Sequence, residues 1–184
     1  MTQRSRNKHK AKVLVLAHCL LNSATKWWQD ERLFEKNRGP CREVVKFLSK
    51  KRIGAIQLPC PEYTFCGNPR PPRTKDEYED MPSFRLHCEN LALEVARNLK
   101  TLISKDVDSR VKILAILGVE RSPTCGVKCT PRKVDGQKTY VEEKGLFLEI
   151  LDRELLNLGL KLPFVGVNFC EQDEITKVLY NLCR

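Results

Sequence analysis

Apolar and polar residues follow one another along this chain in two rhythms. Lys12–Ala17 (KVLVLA) is a continuous Val/Leu run, the pattern of a strand buried on both faces. Cys41–Lys51 follows Gly39-Pro40 and spaces Val44, Val45, Phe47 and Leu48 among Arg and Lys, as a helix does. Ile53–Leu58 (IGAIQL) predicts a second short strand, stopped by Pro59. Pro82–Ser104 predicts a long helix with Leu86, Leu91, Leu93, Val95, Leu99 and Leu102 as its apolar stripe and Ser83 as its cap. The third strand lies within Arg110–Val119, and a helix follows over Gly145–Asn157 with Leu146, Ile150, Leu151 and Leu155 on one side. Pro163–Phe169 (PFVGVNF) and Glu171–Cys183 supply the last strand and the last helix.

The order β-α-β-α-β-α-β-α predicts an α/β fold. It is an open parallel sheet of about four strands with helices on both faces, a flavodoxin- or Rossmann-like three-layer arrangement. Asn22–Pro40 and Cys125–Lys144 are irregular by pattern; Asp135-Gly136 makes the second a loop or a hairpin beside the sheet. Gly67–Pro72 (GNPRPP) cannot be regular structure.

At 184 residues the chain fits one domain, and its 41% hydrophobic residues exclude a disordered protein. It is long enough to hold together without a disulfide scaffold. No apolar run approaches the ~18 residues of a membrane span. The basic, polar N-terminus does not read as a signal peptide, so the expected compartment is the cytoplasm. The formal charge is +10, and Arg4, Arg6, Lys8, Lys10 and Lys12 supply half of it. Residues 1–12 therefore read as a flexible basic tail, either a solvated end or a contact for nucleic acid. Residues 13–184 are expected to form a single α/β domain. The chain also has nine cysteines, which in a reducing compartment are more often ligands or nucleophiles than bridges.

Their positions say more than their number. The first strand runs into His18-Cys19-Leu20-Leu21-Asn22, the second into Pro59-Cys60-Pro61-Glu62, and the third into Arg121-Ser122-Pro123-Thr124-Cys125-Gly126. Ligands of open α/β sheets bind outside the carboxyl ends of the strands. With strand order 2-1-3-4, neighbouring tips lie about 4.8 Å apart, and the three thiols gather at one place. There is no CxxC pair for a structural zinc site, and soft thiolates suit an iron–sulfur cluster equally well.

Cys19-Leu20-Leu21-Asn22, Pro59-Cys60-Pro61-Glu62 followed by Pro69-Arg70-Pro71-Pro72, and Arg121-Ser122-Pro123-Thr124-Cys125-Gly126 resemble the three motifs of the DUF523, or thiouracil desulfidase, family. The family commonly has Cys-Leu-Leu-Gly at the first motif and Lys-Ser-Arg-Ser-Pro where this chain has Val119-Glu120-Arg121-Ser122-Pro123, which marks a divergent branch. The resemblance implies a [4Fe-4S] cluster held by Cys19, Cys60 and Cys125, with zinc as the alternative. It also implies an open iron that takes sulfur from a thiocarbonyl substrate and releases sulfide.

Such chemistry needs a group for water and protons as well as one for sulfur. Glu62 is placed to act as general base, or else caps a turn or pairs with Arg70 or Arg73. Ser122 is placed to position substrate or relay a proton, or else starts a turn. Asn22 and Thr124 are weaker candidates for a pyrimidine edge. His18, next to Cys19 in a strand, points away from it and reads as a core or neighbouring histidine. Cys66, Cys129 and Cys170 are reserves for a fourth ligand or a sulfur relay, whereas Cys41, Cys88 and Cys183 read as packing. Arg70, Arg73, Arg121, Lys128, Arg132 and Lys133 flank the motifs. They suggest a small thiolated substrate carrying phosphate, or an RNA backbone, and Trp27-Trp28 is able to stack on a base. Two other functions fit the same motifs: a sulfide-carrying iron–sulfur accessory protein, and an RNA-associated module with a structural metal site.

Overall fold

The computed structural model describes residues 10–27, 39–103, 110–169 and 171–182. Most of the basic tail, Trp28, Cys170 and Cys183 lie outside these residues. The Val/Leu run forms β1 (Ala11–Leu16), which starts inside the expected tail, so Ala11 and Lys12 belong to the sheet. A short helix α1 (His18–Leu21) and a 3-10 turn (Ser23–Thr25) follow it directly. Then come α2 (Arg42–Lys51), β2 (Gly54–Gln57), α3 (Pro61–Cys66), α4 (Lys75–Glu79) and α5 (Phe84–Ile103). The second half holds β3 (Val111–Val119), the hairpin strands β4 (Thr130–Val134) and β5 (Gln137–Val141), α6 (Leu146–Asn157), β6 (Phe164–Val167) and α7 (Gln172–Asn181).

The main sheet is parallel, as the sequence predicts, and its order β2-β1-β3-β6 is the one under which the three cysteine-bearing tips are neighbours. The chain steps one way from β1 to β2 and the other way from β2 to β3 and from β3 to β6. Right-handed crossovers therefore put the connecting helices on opposite faces. Accordingly α2 packs with α7, and α5 packs with α6. Between these layers Leu14–Leu16 of β1 and Ala115–Leu117 of β3 are completely buried. Asp135 and Gly136 take φ of 50° and 78°, the primed turn that joins β4 to β5. Among the described residues no helix is long and apolar enough to cross a membrane.

The long helix differs from expectation in which face it buries. Leu86 is 56% exposed and Leu102 37%, whereas Phe84, Cys88, Ala92, Ala96 and Leu99 face the core. That inner row repeats every three or four residues, with small side chains at Cys88, Ala92 and Ala96 between Phe84 and Leu99. The helix begins at Phe84; Ser83 has φ 66°, outside the extended conformation of an N-cap.

Candidate metal centre

Each of the three motif cysteines is presented by a short, internally bonded turn at the end of its strand. After β1, Ala17 is still held to the sheet by its N–H on Leu117 O (2.8 Å), and α1 starts one residue later. Cys19 is the second residue of α1, and Ser23 Oγ donates to its carbonyl (3.0 Å). His18 is thus helical rather than part of a strand, and the expected strand alternation does not apply to it. After β2, Leu58 N–H reaches Leu16 O (2.8 Å), and Cys60 becomes the N-cap of α3 with Pro61 at the first helical position. The Cys60 Sγ accepts from Tyr63 N–H (3.4 Å), and Thr64 Oγ1 donates to Cys60 O (2.8 Å).

After β3 the chain turns through Arg121, at φ 63°. Ser122 Oγ accepts from the N–H groups of Cys125 (3.0 Å) and Thr124 (3.4 Å) and so shapes the turn that presents the thiol. The turn then closes the first turn of α6: Gly145, Leu146 and Leu148 N–H donate to the carbonyls of Gly126, Pro123 and Thr124 (2.9, 2.9 and 3.1 Å). This contact needs a glycine at 145, because a Cβ there would sit 2.4 Å from the Thr124 carbonyl carbon. Gly145→Ala is expected to destabilise the protein by about 1–3 kcal/mol in a urea melt, since backbone, not a movable side chain, fills the space.

The three thiols are electrostatic neighbours. Burial, then Glu62, pushes the Cys60 thiol up to about 12, with Cys19 adding to the shift. Burial pushes Cys19 up to about 11. Cys125 is raised well above the ordinary range, first by burial and then by Cys19 and Cys60. Both Cys19 and Cys60 are therefore neutral thiols at pH 8 in the metal-free protein. Their alkylation by iodoacetamide is expected to be at least about tenfold slower than that of free cysteine, read by peptide mass spectrometry. Among the described residues no three His, Cys, Asp or Glu side chains close on a single metal ion.

Glu62 is buried, and both of its oxygens are engaged. Oε2 accepts from Arg70 Nε (3.3 Å), Arg70 Nη2 (3.1 Å) and Tyr78 OH (3.2 Å), and Oε1 accepts from Thr124 Oγ1 (2.7 Å). Of the two arginines expected beside it, Arg70 makes the pair, while Arg73 lies over the Tyr78 ring. Arg70 Nη1 continues to Thr25 O (2.6 Å) and Asn68 Oδ1 (2.8 Å). One buried ion pair thereby ties all three cysteine loops together. Arg70 reaches the turn after Cys19, Glu62 belongs to the helix after Cys60, and Thr124 precedes Cys125. Burial opposes the Arg70 charge, but Glu62, Cys60 and Tyr78 outweigh it and hold its pKa above the ordinary value. Burial and then Glu62 raise the Tyr78 phenol. Thr124 Oγ1 lies 3.7 Å from Cys125 Sγ and 3.5 Å from Ser122 Oγ, so hydroxyls connect the carboxylate to the thiol.

Tyr78 and the Thr25 carbonyl were not singled out by the sequence, and the only signal for them was a cation held between prolines at Pro69-Arg70-Pro71-Pro72. Cys66 ends α3 and Cys129 follows the Cys125 turn with its N–H on Glu120 (2.9 Å); both are half-buried. Cys41 and Cys88 are core residues. His18 Nδ1 contacts Gln57, and burial followed by Arg70 lowers the imidazole pKa. Asn22 caps its own 3-10 turn through Ala24 N–H (3.3 Å).

The expected ring of free positive charge is only partly present. Arg70 is spent on Glu62, Arg132 on Asp76, Glu79 and Glu143, and Lys133 on Glu77. Arg121 lies over the Tyr140 ring at 5.2 Å and, like Lys128, remains exposed. The RNA reading gains no support from this distribution.

Comparison with known proteins matches residues 11–157 to the family described as "Putative 2-thiouracil desulfurase". The chain belongs to this family. The 2-thiouracil desulfurase match runs from β1 through α6, so it contains all three cysteine loops and stops before β6. A protein of Methanocaldococcus jannaschii described as uncharacterized is 32% identical over 152 residues, covering 82% of this chain and 85% of its own length. No solved structure matches the chain.

Proposed function

We propose that this member of the 2-thiouracil desulfurase family removes sulfur, as sulfide, from a thiolated heterocycle of thiouracil or thionucleotide type. In this reading Cys19, Cys60 and Cys125 hold a [4Fe-4S] cluster. The observation that carries it is the convergence of three thiols from the tips of three adjacent parallel strands, each on its own bonded turn. An all-thiol donor set suits iron–sulfur chemistry.

When bound, the cluster supplies an iron without a cysteine ligand, which is a Lewis acid and a soft partner for sulfur. The residues of the chain handle water and protons. Water adds its oxygen to the thiocarbonyl carbon, the C–S bond breaks, and the sulfur leaves as hydrogen sulfide with no net change in electrons. Thr124 passes a proton from the water to Glu62 Oε1, the oxygen it already contacts, and Glu62 is the base of the site. Ser122 fixes the turn through the Cys125 N–H and lies beside Thr124, at the outer end of the same relay. Exposed Arg121 and Lys128 on this loop fit a substrate that carries phosphate. An oxygen-sensitive centre of this kind belongs in a reducing cytoplasm.

The test is anaerobic reconstitution followed by iron and acid-labile sulfide counts, then sulfide release from 2-thiouracil and its nucleotide. A brown, oxygen-bleached protein that releases sulfide supports the proposal. A loaded cluster with no turnover of any thiolated base overturns the desulfidase reading and leaves a sulfide-carrying accessory protein. Binding of zinc alone overturns the cluster.

A further inference from the structure

Among the described residues two buried side-chain polar atoms have no hydrogen-bond partner, His18 Nε2 and Arg73 Nη1. Arg73 has other N–H groups and lies over the Tyr78 ring. His18 has no such reserve. Its Nδ1 faces the amide nitrogen of Gln57, which can only donate. In the tautomer with its proton on Nε2, the ring accepts at Nδ1 from Gln57 and leaves Nε2–H as a buried donor with no partner. Donors left in this state are rare in native proteins, and each calls for a missing acceptor.

The position of His18 limits what that acceptor is. It opens α1 beside Cys19, and its ring centroid lies 5.9 Å from that of Tyr63, whose own N–H caps Cys60 Sγ. His18 thus stands between the first two cysteine loops, at the end of the sheet where the thiols gather. We infer that His18 is a positioning residue of this centre, its Nε2–H donating a hydrogen bond to a sulfur of the bound cluster. The inference rests on the cluster reading above. Donors to cluster sulfur stabilise the more reduced, more negative state and raise its potential. His18 therefore tunes the centre without being a ligand to it.

The chain has three histidines, His9, His18 and His87, so nitrogen-15 labelling of histidine is nearly site-specific. His87 is held by Thr64 (2.8 Å) and serves as the control. The full chain is labelled, loaded anaerobically, reduced and examined by pulsed EPR alongside a redox titration. Wild type and His87→Gln are expected to show a histidine nitrogen coupled to the cluster spin, and His18→Phe to lose it and titrate at a more negative potential. His18→Gln, which keeps an N–H donor, is expected to recover part of the shift. A coupling that survives in His18→Phe, or equal potentials in equally loaded wild type and His18→Phe, overturns the inference. Should His18→Phe fail to load, the wild-type coupling and its loss in His18→Gln decide the question. A loaded cluster with no histidine coupling in wild type overturns the role of His18 alone. A wild-type protein that takes up no iron overturns the cluster reading and this inference together.

Discussion

Glu62→Gln is expected to lower the stability of the metal-free protein by about 3–5 kcal/mol, the largest effect of any conservative change near the site. The substitution keeps the shape of the side chain and removes only its charge. Arg70, 4% exposed, then remains buried with no counter-charge and cannot shed its proton. Removing both charges together in Glu62→Leu/Arg70→Met is expected to cost much less, because an apolar pair leaves no buried ion behind. Tyr78→Phe removes one hydrogen bond from the same carboxylate and is expected to cost about 1 kcal/mol. Urea unfolding at pH 7 ranks the four proteins. A Glu62→Gln variant as stable as wild type would mean that the buried pair does not tie the loops together.

The second large effect concerns the thiols. Cys19→Ser, Cys60→Ser and Cys125→Ser are each expected to abolish iron binding and the visible absorption of the loaded protein. A hydroxyl is a hard donor that stays protonated where a thiolate binds iron. Cys41→Ser is expected to load normally, since Cys41 packs at the start of α2 within the core. Iron and sulfide counts per chain read the result. Equal loss in all four variants would show that the ligand assignment is wrong and that general destabilisation is being measured.

The elements that place the site were legible because their signals are local. A continuous Val/Leu run marks a strand covered on both faces, as in β1. Asp135-Gly136 marks a hairpin turn, whereas the helix Pro61–Cys66 is too short to show a period and was not read from the sequence. The strand order that brings the cysteines together was only assumed from the sequence, because the alternation of elements restricts the order of the strands without fixing it. The buried face of α5 was only partly legible: Leu99 of the leucine stripe is buried and Leu91 and Val95 pack on the core, but the stripe misses Cys88, Ala92 and Ala96. The linking role of Glu62 was likewise hidden. Its partners Arg70, Tyr78 and Thr124 come from three separate elements, and no periodicity connects them. Only the strand placement of His18 is corrected: the strand ends at Leu16, two residues before it, and helical geometry starts at His18.

The three cysteine turns hang on strands β1, β2 and β3, and β1 lies between the other two. Each turn is bonded internally and also tied to a distant part of the chain, the second through Leu58 on Leu16. The first needs β3, through Ala17 on Leu117, and the third needs α6, through Leu146 on Pro123. In a zinc finger the metal organises a chain that is unfolded without it. Here the order is reversed: the sheet must pair across most of the chain before three sulfurs face one another. On the iron–sulfur reading proposed above, iron would therefore reach a folded protein, and loading would be a late event in its maturation. A ribosome-bound chain released before α6 has formed would carry all three cysteines and still have no centre to fill.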